Sequence, residues 1–463
     1  MTDGSAPAAG ATAAGPAPVA SLDRAAQGTN TTPPSWRGGW RQGLAYGSLG
    51  LPLAFVALPL YVVLPNHYAT AFGIPLATLG TLLLAARLLD AVVDPWIGHA
   101  VDRWFAAGLR RIAMAGVLAA VVLALGFRGL FFPLVESPQA LLWWCGIVLA
   151  TTYLAYSVLS VIHQAWGARL GGDEAQRARI VSWREALALV GVLVASVLPS
   201  VAGLQASTLT FAVLLAGALV ASVWAPHPTA TQPLTTASSV PARHTTGPAQ
   251  TLKNASPWAS RDFRRLLAVY LLNGIASAVP ATLVLFFIRD RLQAPAYEPL
   301  FLASYFAAGA LSMPLWVRLV QHLGLARAWL AGMVLAVAAF AWAALLGAGD
   351  VAAFTAVCVA SGVALGADLA LPGAMLAGVI QRAGHAGQLE GRYFGWWNFA
   401  TKLNLALAAG IALPLLAAFG YQPGGRDEQA LQALTIAYCL LPCALKLGAA
   451  ALLHLLWIQG ETR

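Results

Sequence analysis

Continuous apolar runs of about 20 residues recur along nearly the whole chain, broken by short polar stretches, and this pattern predicts a polytopic helical membrane protein. A membrane barrel would instead show segments of about 10 residues with alternating polarity. Twelve spans are predicted, near 42–65, 74–99, 112–134, 140–167, 182–203, 206–225, 263–288, 297–317, 327–347, 352–380, 392–419 and 429–458. Residues 1–36, rich in Ala, Gly, Pro and Thr, carry no hydrophobic periodicity and read as a disordered tail. A polar, Pro- and Thr-rich linker occupies 226–261, too long and irregular for a hairpin. Six spans, a linker and six spans predict an all-α fold of two pseudo-symmetric six-helix bundles, 37–225 and 262–463, the plan of many transporters.

Composition narrows the class further. Only 10% of residues are charged, against about a quarter in soluble chains. The net charge of +9 would suit a nucleic-acid binder only if it were clustered, and the 27 Lys and Arg are scattered between spans. Placing both termini and the linker in the cytoplasm puts nineteen of them on that side and only Arg128, Arg289, Arg291 and Arg426 opposite. That is a positive-inside bias, and it predicts a multi-pass protein of the inner membrane with both termini cytoplasmic. The four cysteines lie within spans, form no CxxC pair and read as small buried hydrophobes. No nucleotide-binding motif is present, so neither a cofactor nor ATP coupling is expected. Nothing in the sequence requires a protein partner, and a functional monomer is expected.

Eight charges remain inside the spans: Arg87, Asp90, Asp94, Arg184, Glu185, Asp368, Lys402 and Lys446. Each costs about 2.5–3.5 kcal/mol by insertion scales, so each needs a partner or a use. The densest group is Ala85-Ala-Arg-Leu-Leu-Asp-Ala-Val-Val-Asp-Pro95. Asp90 and Asp94 share a helix face there, and Arg87 precedes the first by three residues. Two carboxylates one turn apart need a bound cation, an arginine neighbour or a shared proton. A site emptied and refilled by Na+ or H+ supplies that chemistry. The structural alternative is a buried Arg87–Asp90 pair that fixes helix packing, with Asp94 capping a loop near Pro95.

Span 2 continues as Gly98-His-Ala-Val-Asp-Arg103, followed by Gly108-Leu-Arg-Arg111. This matches the G-x-x-x-D-R…R-R pattern between spans 2 and 3 of the major facilitator superfamily, with extra residues before the Arg pair. In that setting the charges of Asp102 and Arg103 hold the two halves together at the cytoplasmic face and release them as the protein rocks. The counterpart in the second half, Arg318 to Arg327, is degenerate.

A closer resemblance covers residues 43 to about 458. Ala86-Arg-Leu-Leu-Asp-Ala-Val-Val-Asp-Pro95 resembles the A-R-x-x-D-A-x-x-D-P stretch of the melibiose permease family, the glycoside–pentoside–hexuronide:cation symporters. Arg184 opening span 5, Lys402 in Trp397-Asn-Phe-Ala-Thr-Lys402, and Gly420-Tyr-Gln-Pro423 follow in the same order. The resemblance implies that Asp90 and Asp94 are the cation-site carboxylates, holding H+ or Na+. It implies that Arg184 bonds substrate hydroxyls or a carboxylate, that Lys402 faces the acidic pair, and that Trp166 stacks on a sugar-like ring. The departures are specific: Pro52 and Ile162 stand where the family has sugar-binding acids, and Val93 where it has a cation-site Asn. With fewer oxygen ligands and drier carboxylates, H+ is favoured over Na+.

Four more residues bear on the site. His163, beside Gln164 and one turn before Trp166, is either a helix–helix hydrogen-bond partner or a substrate-site proton relay. Asn398, four residues before Lys402, presents an amide to the same face. Asp368, ahead of Pro372, is expected either to pair with Arg392 or Lys402 or to line the cavity. Glu185 is expected to point away from Arg184 and to pair with the basic cluster of the 2–3 loop. A prenyltransferase-like enzyme needs a second Asp-rich motif, which is absent. The expected function is therefore cation-coupled transport of a small polar solute, a sugar, glycoside or organic acid, by alternating access. The alternative is a uniporter or amphiphile transporter on the same fold with structural carboxylates.

Overall fold

The computed structural model describes residues 36, 38–228, 255–421, 424 and 427–459, so the predicted tail and most of the linker lie outside the described residues. Every regular element among the described residues is helical. The first crossing runs through α1 (Trp40–Gly47), α2 (Gly50–Leu58) and α3 (Leu64–Phe72), with a π-helical turn at Pro59–Val63. Then follow α4 (Leu76–Ala106), α5 (Leu109–Phe131), α6 (Pro138–Arg169) and α7 (Glu174–Ser222). The second half holds α8 (Arg261–Phe286), α9 (Glu298–Ala343), α10 (Val351–Arg382), α11 (Glu390–Ala418), α12 (Glu428–Thr435) and α13 (Leu441–Leu453).

Polar caps start several of these helices. Ser137 accepts from Ala140 N, Asp173 from Gln176 N and Ser260 from Phe263 N, each taking up a donor that the first turn leaves free. Two helices are longer than any bilayer requires, and each breaks inside. Gly203 in α7 (φ 80°) and Gly324 in α9 (φ 78°) take up backbone conformations that side chains with a Cβ rarely adopt. Nine helical stretches among the described residues are long and apolar enough to cross a membrane.

The apolar cores are arranged unevenly. One core draws only on residues between Leu49 and Ala218, and another only on residues between Val279 and Cys439. A third is shared, joining Ile97, Val101, Val161 and Ala178 to Phe263, Leu376 and Tyr393. The halves are thus fused near the end of α4 that carries Asp102, and elsewhere each half has its own core. Tyr393 is fully buried in the shared core.

Candidate cation and substrate site

The i, i+4 spacing on α4 puts Asp90 and Asp94 on one face, and α11 lies against that face. Glycines set the closeness of this crossing. A Cβ at Gly98 would come within 2.2 Å of the Gly391 carbonyl, and one at Gly395 within 2.6 Å of the Asp94 carbonyl. Small residues let the two backbones touch, as in other membrane helix pairs. Lys402, farther along α11, then reaches both carboxylates, with Nζ 2.7 Å from Asp90 Oδ2 and 2.7 Å from Asp94 Oδ2.

Ser157 of α6 completes the cluster. Its hydroxyl donates to Asp90 Oδ1 at 2.7 Å and accepts from Lys402 Nζ at 2.8 Å. Asp94 is 0% exposed, and Lys402 Nζ meets its Oδ2 as an ion pair. When all three groups are ionised the cluster has two negative charges and one positive. One further proton or monovalent cation would balance it. Arg87 does not pair with Asp90, contrary to the structural alternative read from the sequence. Its guanidinium lies over the Tyr61 ring at 4.0 Å, where the ring face holds the charge.

A small cavity of about 120 Å³ lies beside this cluster, lined by Tyr156, Ser160, His163, Gln164, Arg184 and Glu185 among others. Ser157 and Ser160 are one helical turn apart on α6, so the ion cluster and the cavity are neighbours along that helix. Arg184 donates twice to Glu185 Oε1, at 2.8 and 2.6 Å, which corrects the expectation that Glu185 points away toward the 2–3 loop. Both side chains are long enough to fold together over the cavity wall. His163 Nε2 bonds the Tyr46 carbonyl at 2.8 Å and Tyr46 OH donates to the His163 carbonyl, so this histidine ties α6 to α1 while its side chain borders the cavity.

Trp166 is placed elsewhere. Its indole N–H donates to the Pro226 carbonyl at 2.9 Å, and its ring meets Phe105 and His227 near the end of α6. Asn398 is buried one turn before Lys402. Asp368 pairs with neither Arg392 nor Lys402. It holds Lys446 Nζ at 2.6 Å and also accepts from Trp329 Nε1 at 3.0 Å, Asn273 Nδ2 at 3.1 Å and Ser277 Oγ at 3.2 Å. This pair lines a separate cavity of about 150 Å³ within the second half, apart from the Arg184 cavity.

At the far end of α4, Asp102 accepts from Gly391 N at 2.7 Å and Arg392 N at 3.0 Å. The first turn of α11 has no cap from its own chain segment, and Asp102 supplies one across the molecule. Arg169 of α6 joins in, 2.9 Å from Glu390 and 3.5 Å from Asp102, and donates to the Gly387 carbonyl at 2.8 Å. Arg103, expected here as a partner, is exposed and takes no part. The sequence points one residue away from Asp102, but the fold brings in Arg169 from another helix. Ser157, Arg169, Glu390 and Lys446 are contributors that sequence reasoning left unassigned. Only Lys446 carried a signal, as the remaining cation within a span.

Residues 44–460 match the family described as MFS/sugar transport protein. This chain belongs to that family. The MFS/sugar transport proteins are multi-pass membrane transporters, not enzymes. Among curated relatives of this family member, the inner membrane symporter YicJ of Escherichia coli (strain K12) is 28% identical over 166 residues, 34% of this chain and 33% of that protein. The protein named putative glycoside/cation symporter YagG, of the same organism, is 29% identical over 156 residues, 33% of each chain. The matched stretches thus span about a third of these relatives' length. In fold, the chain is similar to the MFS transporter FucP in its outward conformation. The TM-score is 0.61 at 12% identity, covering 89% of this chain and 98% of that one.

Proposed function

We propose that this protein is a secondary active transporter that carries a small polar solute across the inner membrane by cation symport, with H+ favoured over Na+. The observation that carries this reading is the Asp90–Asp94–Lys402 cluster: two carboxylates share one ammonium in a buried site. A proton on Asp94 neutralises the cluster without new ligands. Na+ would need several oxygens, and Lys402 already sits between the two carboxylates while Val93 adds none. Similarity to symporters over a third of the chain supports the same reading.

In this account the solute, a sugar, glycoside or organic acid, binds at the cavity bordered by Arg184, Glu185 and His163. Opening the Arg184–Glu185 pair frees a donor fork and an acceptor for hydroxyls or a carboxylate. The nine apolar stretches, the breaks at Gly203 and Gly324, and α4 support a reading of twelve crossings in two six-helix bundles. The excess of Lys and Arg supports a cytoplasmic side at the Asp102 end and for both termini. The Asp102–Arg169–Glu390 network and the shared core then make this the state closed to the cytoplasm. Release of that network lets the halves rock, and the protein works as a monomer.

The test is uptake by proteoliposomes of whichever solute, from a thermal-shift screen of sugars, glycosides, hexuronates and organic acids, stabilises the protein. An inward pH gradient should drive accumulation, and Asp94→Asn should abolish that drive. Equal rates under every gradient, with Asp94→Asn harmless, would make the chain a uniporter with structural carboxylates.

A further inference from the structure

A recess of about 640 Å³ lies between the first parts of α7 and α9 and shares no lining residue with the ion cluster or the Arg184 cavity. Arg179 and Trp183 come from α7, Leu311, Pro314 and Arg318 from α9, and Trp40 closes one edge. The two helices are tied together where Glu174 accepts from Leu325 N at 2.8 Å. Counted from that tie, Arg179 lies five residues along α7 and Arg318 seven residues along α9. At about 1.5 Å per residue, both guanidinium-bearing positions sit at a similar level, roughly 8–10 Å in. Leu311 lies two turns deeper, so the recess is basic toward one end and apolar toward the membrane interior.

The charges are unbalanced. Arg169, Arg382 and Arg392, at the same end of the molecule, each have a carboxylate partner, and Arg179 and Arg318 have none among the described residues. No acidic side chain lines the recess. Its edge is open: Trp40 is 62% exposed and Leu311 80%. Two arginines, an interfacial tryptophan and an apolar floor match one kind of ligand.

We propose that this recess binds an anionic phospholipid, with Arg179 and Arg318 on the headgroup phosphate and Trp183, Leu311 and Pro314 along the upper acyl chain. Guanidinium forks suit phosphate oxygens, and basic recesses between membrane helices recruit anionic headgroups. Because one arginine comes from each half of the chain, a bound lipid would bridge the halves at the end where they share a core.

Native mass spectrometry of the full chain, released from nanodiscs of equal phosphatidylglycerol and phosphatidylcholine, tests this. Wild type should retain phosphatidylglycerol over phosphatidylcholine by about tenfold. R179Q/R318Q should bring the ratio near one, while R110Q/R111Q, a basic pair outside the recess, keeps it. L311W, which fills the recess and leaves both arginines, should lower the ratio as well. Added inorganic phosphate should not change the wild-type ratio. A wild-type ratio near one, an unchanged ratio in both recess variants, an equal loss in R110Q/R111Q, or displacement by inorganic phosphate would overturn the proposal.

Discussion

Two lysines within the predicted spans meet aspartates in this protein, Lys446 buried and Lys402 half-buried, and the two sites differ in balance. Lys446 faces one carboxylate, and that carboxylate also accepts from an indole, an amide and a hydroxyl. Lys402 faces two carboxylates, one of them fully buried. The first site is closed in charge, so it holds α8, α9, α10 and α13 together and has no reason to exchange ions. The second has one negative charge in excess. The difference lies in stoichiometry, not in residue type, and it separates a structural ion pair from one suited to take up a cation.

Single substitutions can break that contrast. Asp368→Asn leaves Lys446 buried without a counter-charge and should cost about 3–5 kcal/mol of stability, read by unfolding in detergent, with D368N/K446M recovering most of it. A stable D368N that loses its response to a cation gradient would reverse the assignment. Asp94→Asn acts oppositely, because it leaves a balanced Lys402–Asp90 pair. Stability should hold or rise, while gradient-driven accumulation falls by up to about 100-fold, the upper range of coupling free energies.

A smaller effect is expected at the Asp102 end. Asp102→Ala removes the cap on α11 and a partner of Arg169, shifting the closed state by about 1–2 kcal/mol. Distances between spin labels at positions 110 and 327 should then broaden toward longer values. The smallest effect separates acid sensitivity of this latch from proton coupling. Burial, then nearby Arg392, holds His385 below its ordinary value of 6.5. Its contribution to stability is complete above pH 6.5 and is lost as pH falls below it, since the unfolded chain takes up the proton more readily. His385→Asn should flatten that acid limb of the stability profile and leave gradient-driven uptake unchanged.

Much of this architecture was legible in the chain. The predicted apolar runs fall on the helices because membrane helices must be apolar over their length. The breaks at Gly203 and Gly324 fall at the predicted joints between 182–203 and 206–225 and between 297–317 and 327–347. Asp90, Asp94 and Lys402 stood out because charge within a span is rare. Their arrangement did not, because it depends on a crossing set by Gly98, Gly391 and Gly395, some 300 residues apart in the chain. Ser157 is an ordinary residue type on a helix, and only the fold shows that it bridges the cluster. Glu185 was expected to point away because adjacent helix positions diverge, yet both long side chains bend back to meet. Arg169 and Glu390 come from different halves of the chain, and no local pattern joins them.

The central claim is that the Asp90–Asp94–Lys402 cluster takes up one proton in preference to Na+. Infrared difference spectroscopy on the purified protein reads this without a solute, through the carbonyl band of a protonated buried aspartate. The band should grow as pH is lowered, vanish in Asp94→Asn, and persist when Na+ is added. A band that survives Asp94→Asn, or one that Na+ removes, would contradict the account.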